Sequence, residues 1–461
     1  MSRLRIVAAR GLTGTEFARQ VQAAFCRWLL IVAVLTLPAL QAHADDWPQW
    51  LGPNRDGRWR ETGIVDAFPE SGLKTLWRAP VAGGYSGPAV ADGRVFVTDF
   101  VRESGELKNN PGQRSELQGK ERVLCFDAKT GQELWKREYN CPYQISYACG
   151  PRATPTVDGD RVYTLGAEGH LLCLTVKNGE ILWAKDLKKE YQTESPIWGF
   201  SGHPLVDGDR LVCLVGGEGS VAVAFDKYTG NEKWRALSAS EPGYAPPTMI
   251  EAAGQRQLLI WHADAINALE PATGKVLWSQ PLKPDYGMSI MAPRKEGDVL
   301  FASGIGDVGA TFKLASDQPG AELIWRGDNQ TAVYCANSTP IIDNGIIYGC
   351  DCRSGSLRAV KLETGERLWD TFAPTTGQRR AGHGTAFLVQ HEDRYFLFSE
   401  TGDLILAKLT PEGYEEISRS HIIEPTGEAF NRPVVWTHPA FANQCVFVRN
   451  DKELVCVSLA K

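Results

Sequence analysis

The chain is poor in the residues that hydrolytic and metal chemistry rely on. Its eight His are scattered over 461 residues, and neither a G-x-S-x-G nucleophile elbow nor an H-E-x-x-H zinc motif occurs. Excess positive charge is missing too. With 49 Lys and Arg against 55 Asp and Glu the formal charge is −6, so the basic surface that neutralises phosphates is absent and nucleic acid is not an expected partner. The apolar run WLLIVAVLTLPAL, Trp28 to Leu40, is thirteen residues long, whereas a bilayer needs about 20, so no transmembrane segment is expected in the mature chain. The Gly-rich stretch VGGEGSV at 215–221 reads as a hairpin turn, not a phosphate loop.

That apolar run has another use. Arg3, Arg5, Arg10, Arg19 and Arg27 precede it and Ala42-His43-Ala44 offers an A-x-A cleavage site, so residues 1–44 read as a secretory signal peptide cleaved after Ala44. No Cys stands at the cleavage point, and a lipid anchor is therefore not expected. Removing five Arg and one Glu takes the charge from −6 to −10. The mature chain, 45–461, is expected to be a single periplasmic or secreted domain and a monomer.

What is abundant is a phrase ending in Trp. It reads CFDAKTGQELW to Trp135, CLTVKNGEILW to Trp183, AFDKYTGNEKW to Trp234, ALEPATGKVLW to Trp278 and AVKLETGERLW to Trp369. Degraded copies end on Trp325 and on Ile417. An eighth is split between LVCVSL, 454–459, and SGLKTLW ending at Trp77. The first residue, Ala or Cys, suits a tightly packed position. Asp127, Asp226 and Glu270 can accept turn hydrogen bonds, and the Gly at 131, 179, 230, 274 and 365 permits positive φ. The tryptophans at 77, 135, 183, 234, 278, 325 and 369 are expected to dock neighbouring blades.

A second element precedes each phrase: SGPAV at Ser86, ATPTV at Ala153, GHPLV at Gly202, APPTM at Ala245, MAPRK at Met291, STPII at Ser338, GTAFL at Gly384 and THPAF at Thr437. Pro cannot donate to a sheet ladder and belongs at a strand's first residue, here the innermost strand. Asp92-Gly93, Asp158-Gly159, Asp207-Gly208 and Asn344-Gly345 then mark tight hairpins. The expectation is an all-β, eight-bladed β-propeller of four-stranded antiparallel blades, with an N-terminal strand completing the C-terminal blade.

Cys125, Cys173 and Cys456 occupy the small-residue place of the repeat and read as buried thiols. Cys141 and Cys149 flank a short loop in an exported chain and are the candidate disulfide. Cys350 and Cys352 have no His or Cys pair at zinc spacing, so no metal site is assigned. The polar stretch from Val101 to Arg122 reads as a long solvated loop.

The repeat, together with DWPQWLGPNRDG at 46–57, resembles the pyrroloquinoline-quinone (PQQ)-type β-propellers, a superfamily of quinoprotein dehydrogenases that also includes a non-enzymatic propeller lipoprotein of the outer-membrane β-barrel assembly machine. The resemblance implies fold more than activity. Enzymes of this type clamp the quinone with adjacent cysteines and hold calcium with Glu, Asn and Asp beside a catalytic Asp. Here no two cysteines are adjacent. The residues preceding the inner-strand motifs are Tyr85, Arg152, Ser201, Tyr244, Ile290, Asn337, His383 and Trp436, none of them acidic. No catalytic residue and no cofactor is assigned. The expectation is a non-catalytic binding or scaffold protein of the bacterial envelope. It would engage an envelope protein or small ligand through Tyr85, Arg152, Tyr244, Asn337, His383 and Trp436 at one channel mouth, with Tyr147, Trp198, Phe200, Tyr286 and Tyr334 nearby. The alternative is a PQQ- and calcium-dependent dehydrogenase of alcohols or sugars.

Overall fold

The computed structural model describes residues 45–461, and the expected signal peptide lies outside them. Eight sheets have strands in simple succession. Their innermost strands are Ala89–Ala91, Thr156–Asp158, Leu205–Asp207, Thr248–Ala252, Arg294–Glu296, Ile341–Asp343, Ala386–His391 and Ala440–Ala442, which open blades 1 to 8. Seven of these follow a Pro directly, so the ladder starts one residue after the missing N–H. Helix is confined, among the described residues, to Leu187–Tyr191 and the 3-10 turn Asp285–Gly287. No helix among them is long and apolar enough to cross a membrane.

Blade 8 takes its outer strand from the other end of the chain. Thr75–Pro80 pairs antiparallel with Glu453–Ser458, placing Trp77 opposite Cys456. The same cross-strand pairing recurs as Cys125 with Trp135, Cys173 with Trp183, Ala224 with Trp234, Ala268 with Trp278 and Ala359 with Trp369. The phrase begins with a small residue because its own Trp lies across the ladder from it. In all eight blades the outer ladder slips register at this point, a bulge that turns the preceding residue outward, as at Leu76, Leu134 and Leu182. Each indole then reaches the next blade. Nε1 of Trp77, Trp135, Trp183, Trp234, Trp325 and Trp369 donates to the carbonyls of Ala128, Val176, Lys227, Pro271, Leu362 and Thr410, at 2.8–3.2 Å. Trp278 donates instead to Gln257 Oε1 at 2.8 Å, because the phrase of blade 5 is the degraded one.

The segment from Trp47 to Val65 closes one end of the channel. It bridges Val90 of blade 1, bonds to Val157 of blade 2, and places Arg55 on the carbonyls of His203 and Pro204 ahead of blade 3. Arg294 of blade 5 then donates to the Arg55 carbonyl, Arg58 to Ile342 of blade 6, and Trp59 to Gln390 of blade 7, before Val65 meets Leu459 of blade 8. A strand of chain bonded to inner strands on opposite sides must cross the channel. Trp47, Trp50 and Trp59 are buried in this plug.

Two expectations need correction. Residues 101–122 are only in part a solvated loop: Arg94–Ser104 and Ser115–Asp127 form a long hairpin paired as far as Ser104 with Gln118, Tyr143–Ile145 adds to its end, and the exposed loop is confined to 105–114. Ser115, Leu117, Gly119 and Glu121 alternate inward, a period of two that mostly polar side chains conceal. Cys141 and Cys149 do not pair. Both are free, the Cys141 thiol lying 3.6 Å from His170 Nδ1 and the Cys149 thiol donating to Asp451 Oδ1 at 3.2 Å. Glu121, Cys141 and His170 bring potential metal-ligand atoms within 4.8 Å of one another. The Glu121 carboxylate, however, already accepts from the hydroxyls of Tyr139 and Tyr143 and from Ala167 N.

Candidate functional site: an aromatic channel mouth

The loops that feed the inner strands are tied to one another. Tyr85 N and Ser86 N donate to Pro151 O and Tyr244 N to Ser289 O, so the residues ahead of each Pro are held around one opening. All eight positions of the expected ring, Tyr85, Arg152, Ser201, Tyr244, Ile290, Asn337, His383 and Trp436, line a single cavity of about 230 Å³. Of the five neighbouring aromatics, Tyr147 and Trp198 join them. The other three do not. Phe200 packs in the core between blades 2 and 3, Tyr334 is buried with its hydroxyl on Asp328 O, and Tyr286 is 74% exposed outside the cavity.

Arg152 lies over the Tyr85 ring at 5.1 Å and spends its terminal nitrogens on the carbonyls of Ser146, Tyr147 and Gly150. His383, at φ +59°, pairs through Nδ1 with Asn337 Oδ1 at 2.9 Å and stacks on Phe430 with ring centres 5.0 Å apart. Trp436 donates Nε1 to Glu400 Oε2 at 2.9 Å, and Glu400 is held in turn by Arg432 at 2.8 Å. Trp198 with Tyr244, and Tyr147 with Trp436, make edge-on pairs.

The floor was not legible in the sequence. Trp50 rises from the plug and stacks on His203 at 4.8 Å, with His438 edge-on at 5.8 Å and the Arg55 guanidinium 5.4 Å from its ring. His203 Nδ1 accepts from Thr154 N at 2.8 Å. Burial first, and then a nearby guanidinium, lowers His383 to about 4 through Arg432 and His438 to about 3 through Arg294. Burial, followed by His438 and Arg55, likewise holds His203 well below the usual histidine range. Three neutral imidazoles and eight aromatic rings therefore face a space that no carboxylate lines. Pro111, from the tip of the long hairpin of blade 1, closes over one side.

Calcium takes six to eight oxygen ligands, carboxylates foremost, and a general base must reach the substrate hydroxyl. The lining supplies no carboxylate for the ion, and two of its histidines are already engaged, His383 with Asn337 and His203 with Thr154 N. Glu400, behind the wall, is already engaged by Arg432 and Trp436. The donor set does not fit a quinone and calcium pair.

Comparison with known proteins follows the architecture. The profile of a family described as outer membrane protein assembly factor BamB matches residues 119–371, more than half of the chain. The BamB of Yersinia pestis is 24% identical over 217 residues, 45% of this chain, so the chain spans about half, 52%, of the length of the curated relative it matches. Among solved structures, BamB from Moraxella catarrhalis superposes with a TM-score of 0.55 at 16% identity, over 84% of this chain and 97% of that one. The quinohemoprotein alcohol dehydrogenase from Comamonas testosteroni superposes at 0.59 and 13% identity, over 90% and 81%. At such identities the structural likeness shows the fold alone.

Proposed function

The chain belongs to the family of the outer membrane protein assembly factor BamB, and from that premise we propose that it is an exported, non-catalytic propeller of the bacterial envelope whose aromatic mouth holds a partner segment or small ligand. The observation that carries this reading is the convergence of all eight loop positions on one carboxylate-free, ring-lined cavity. Rings with a few fixed polar groups supply contact area and orientation, as binding sites do.

The reading is tested by capture from the native envelope with the mature protein. Tyr85→Ala, Tyr244→Ala, His383→Ala and Trp436→Ala should each release whatever co-purifies with the wild type while the fold is retained. The rival reading, oxidation of alcohols or sugars with PQQ and calcium, predicts dye-linked turnover of the reconstituted protein. Turnover that disappears on Glu400→Gln would replace the binding proposal.

A further inference from the structure

On the far side of the plug from the aromatic mouth lies a second cavity of about 250 Å³, lined by Asp56, Arg58, Arg60, Arg294, Lys295 and Ile341 with Ile342. Four of these carry positive charge in a chain whose net charge is −6. The local carboxylates do not balance them. Asp56 is taken by Arg60 through Nη2 to Oδ2, and it also accepts from Arg58 N. Asp343, at the edge, stands 3.6 Å from Arg58, a half-exposed pair of little strength.

Arg294 is the informative residue. Its Nε donates to Pro340 O at 3.2 Å and its Nη1 to Arg55 O at 2.8 Å, while its Nη2 is buried without a partner. Immediately behind it, Arg55 reaches only Gln49 Oε1 and the carbonyls of His203 and Pro204. Two partly buried guanidiniums thus share a site in which their hydrogen bonds go to neutral acceptors, and Lys295 beside them forms no ion pair among the described residues. Taking charge out of water with too little counter-charge is costly, and Asp56 is the one carboxylate lining this cavity against four cations. Burial, and then the neighbouring guanidinium, lowers Arg55 to about 9; burial, only partly opposed by the Asp56 carboxylate and reinforced by Arg58, lowers Arg294 to about 10.

We infer that this cavity is a binding site for a small divalent oxyanion of the phosphate type, held by Arg294, Lys295 and Arg58. Such an anion accepts several charge-assisted hydrogen bonds at once, which is what an incompletely satisfied guanidinium fork and a neighbouring ammonium offer. It would also offset the charge that Arg55 and Arg294 bring into the plug. The site is separate from the aromatic mouth and independent of any function proposed for it.

The test is isothermal titration of the mature protein with inorganic phosphate at constant ionic strength, with chloride and acetate as competing arms. Saturable phosphate binding at one site is expected, with chloride inert and acetate weaker. Lys295→Ala, at an exposed position, should weaken phosphate about tenfold or more while leaving the melting temperature in chloride unchanged. Arg294→Gln should abolish binding. Acetate binding as tightly as phosphate would overturn the assignment to a divalent anion. A phosphate response that persists in both variants would mark a general salt effect and overturn the site itself.

Discussion

The indole of Trp135 covers Gly179 of the next blade so closely that a Cβ on that glycine would stand 2.5 Å from Cε3. The same relation joins Trp77 to Gly131, Trp183 to Gly230, Trp234 to Gly274 and Trp325 to Gly365. The Gly and the Trp of the repeat phrase are therefore two halves of one joint, each completed by the neighbouring blade. Because Gly179 also sits at φ +67°, Gly179→Ala meets both a backbone penalty of about 1 kcal/mol and a steric overlap of about 1–3 kcal/mol. Trp234→Ala, which empties the partner side of such a joint, should cost about 3–5 kcal/mol. Urea unfolding of the two variants checks both numbers. A neutral Gly179→Ala would mean that the ring moves aside freely.

Closure of the ring gives a second prediction. A protein beginning at Asp45 should fold, whereas one beginning at Arg78 loses Trp77, half of the strand that pairs with Glu453–Ser458, and the whole plug. Its last blade then keeps only Arg78–Pro80 of that strand and presents the rest of its edge unpaired. Aggregation in size-exclusion chromatography is the expected outcome, and a soluble monomer with native near-ultraviolet circular dichroism would contradict it.

The fold was legible because blade packing repeats, and each repeat writes the same demand into the sequence: a small residue opposite a Trp, and a Gly beneath the Trp of the blade before. The mouth was legible for the same reason, since Pro fixes the start of each inner strand and so the position of the residue ahead of it. Features made once were not. Trp50 and Arg55 meet His203, 148 residues or more away, and no periodicity announces such a contact. Tyr334 and Phe200 lie close to ring positions in sequence, yet their side chains turn into the blades. Cys141 and Cys149 likewise share a loop but face His170 and Asp451.

The neutral imidazoles set a pH dependence. In the unfolded chain His383 and His438 take up protons near pH 6.5, whereas in the folded protein they resist until about 4 and about 3. The unfolded state then binds more protons, so stability falls as pH drops from about 6.5 towards 4, and it is fully present above that window. Denaturation at pH 7.5, 5.5 and 4.5 should show the decline, and His383→Gln should make it shallower. An equal slope in the variant would remove His383 from the account.

Trp436 separates a mouth residue from a joint residue. It is half-buried, contacts Tyr147 edge to face and Phe430 at a tilt, and donates its indole N–H to a carboxylate that Arg432 also holds. Trp436→Ala leaves Glu400 with its stronger partner and opens the cavity without parting two blades. The expected cost is therefore about 1–2 kcal/mol, well below that of Trp234→Ala, because one hydrogen bond and part of a ring's contacts are lost but no buried joint is emptied. Equal losses in the two variants, measured in the same urea series, would place Trp436 in the core and leave the mouth with one residue fewer for recognition.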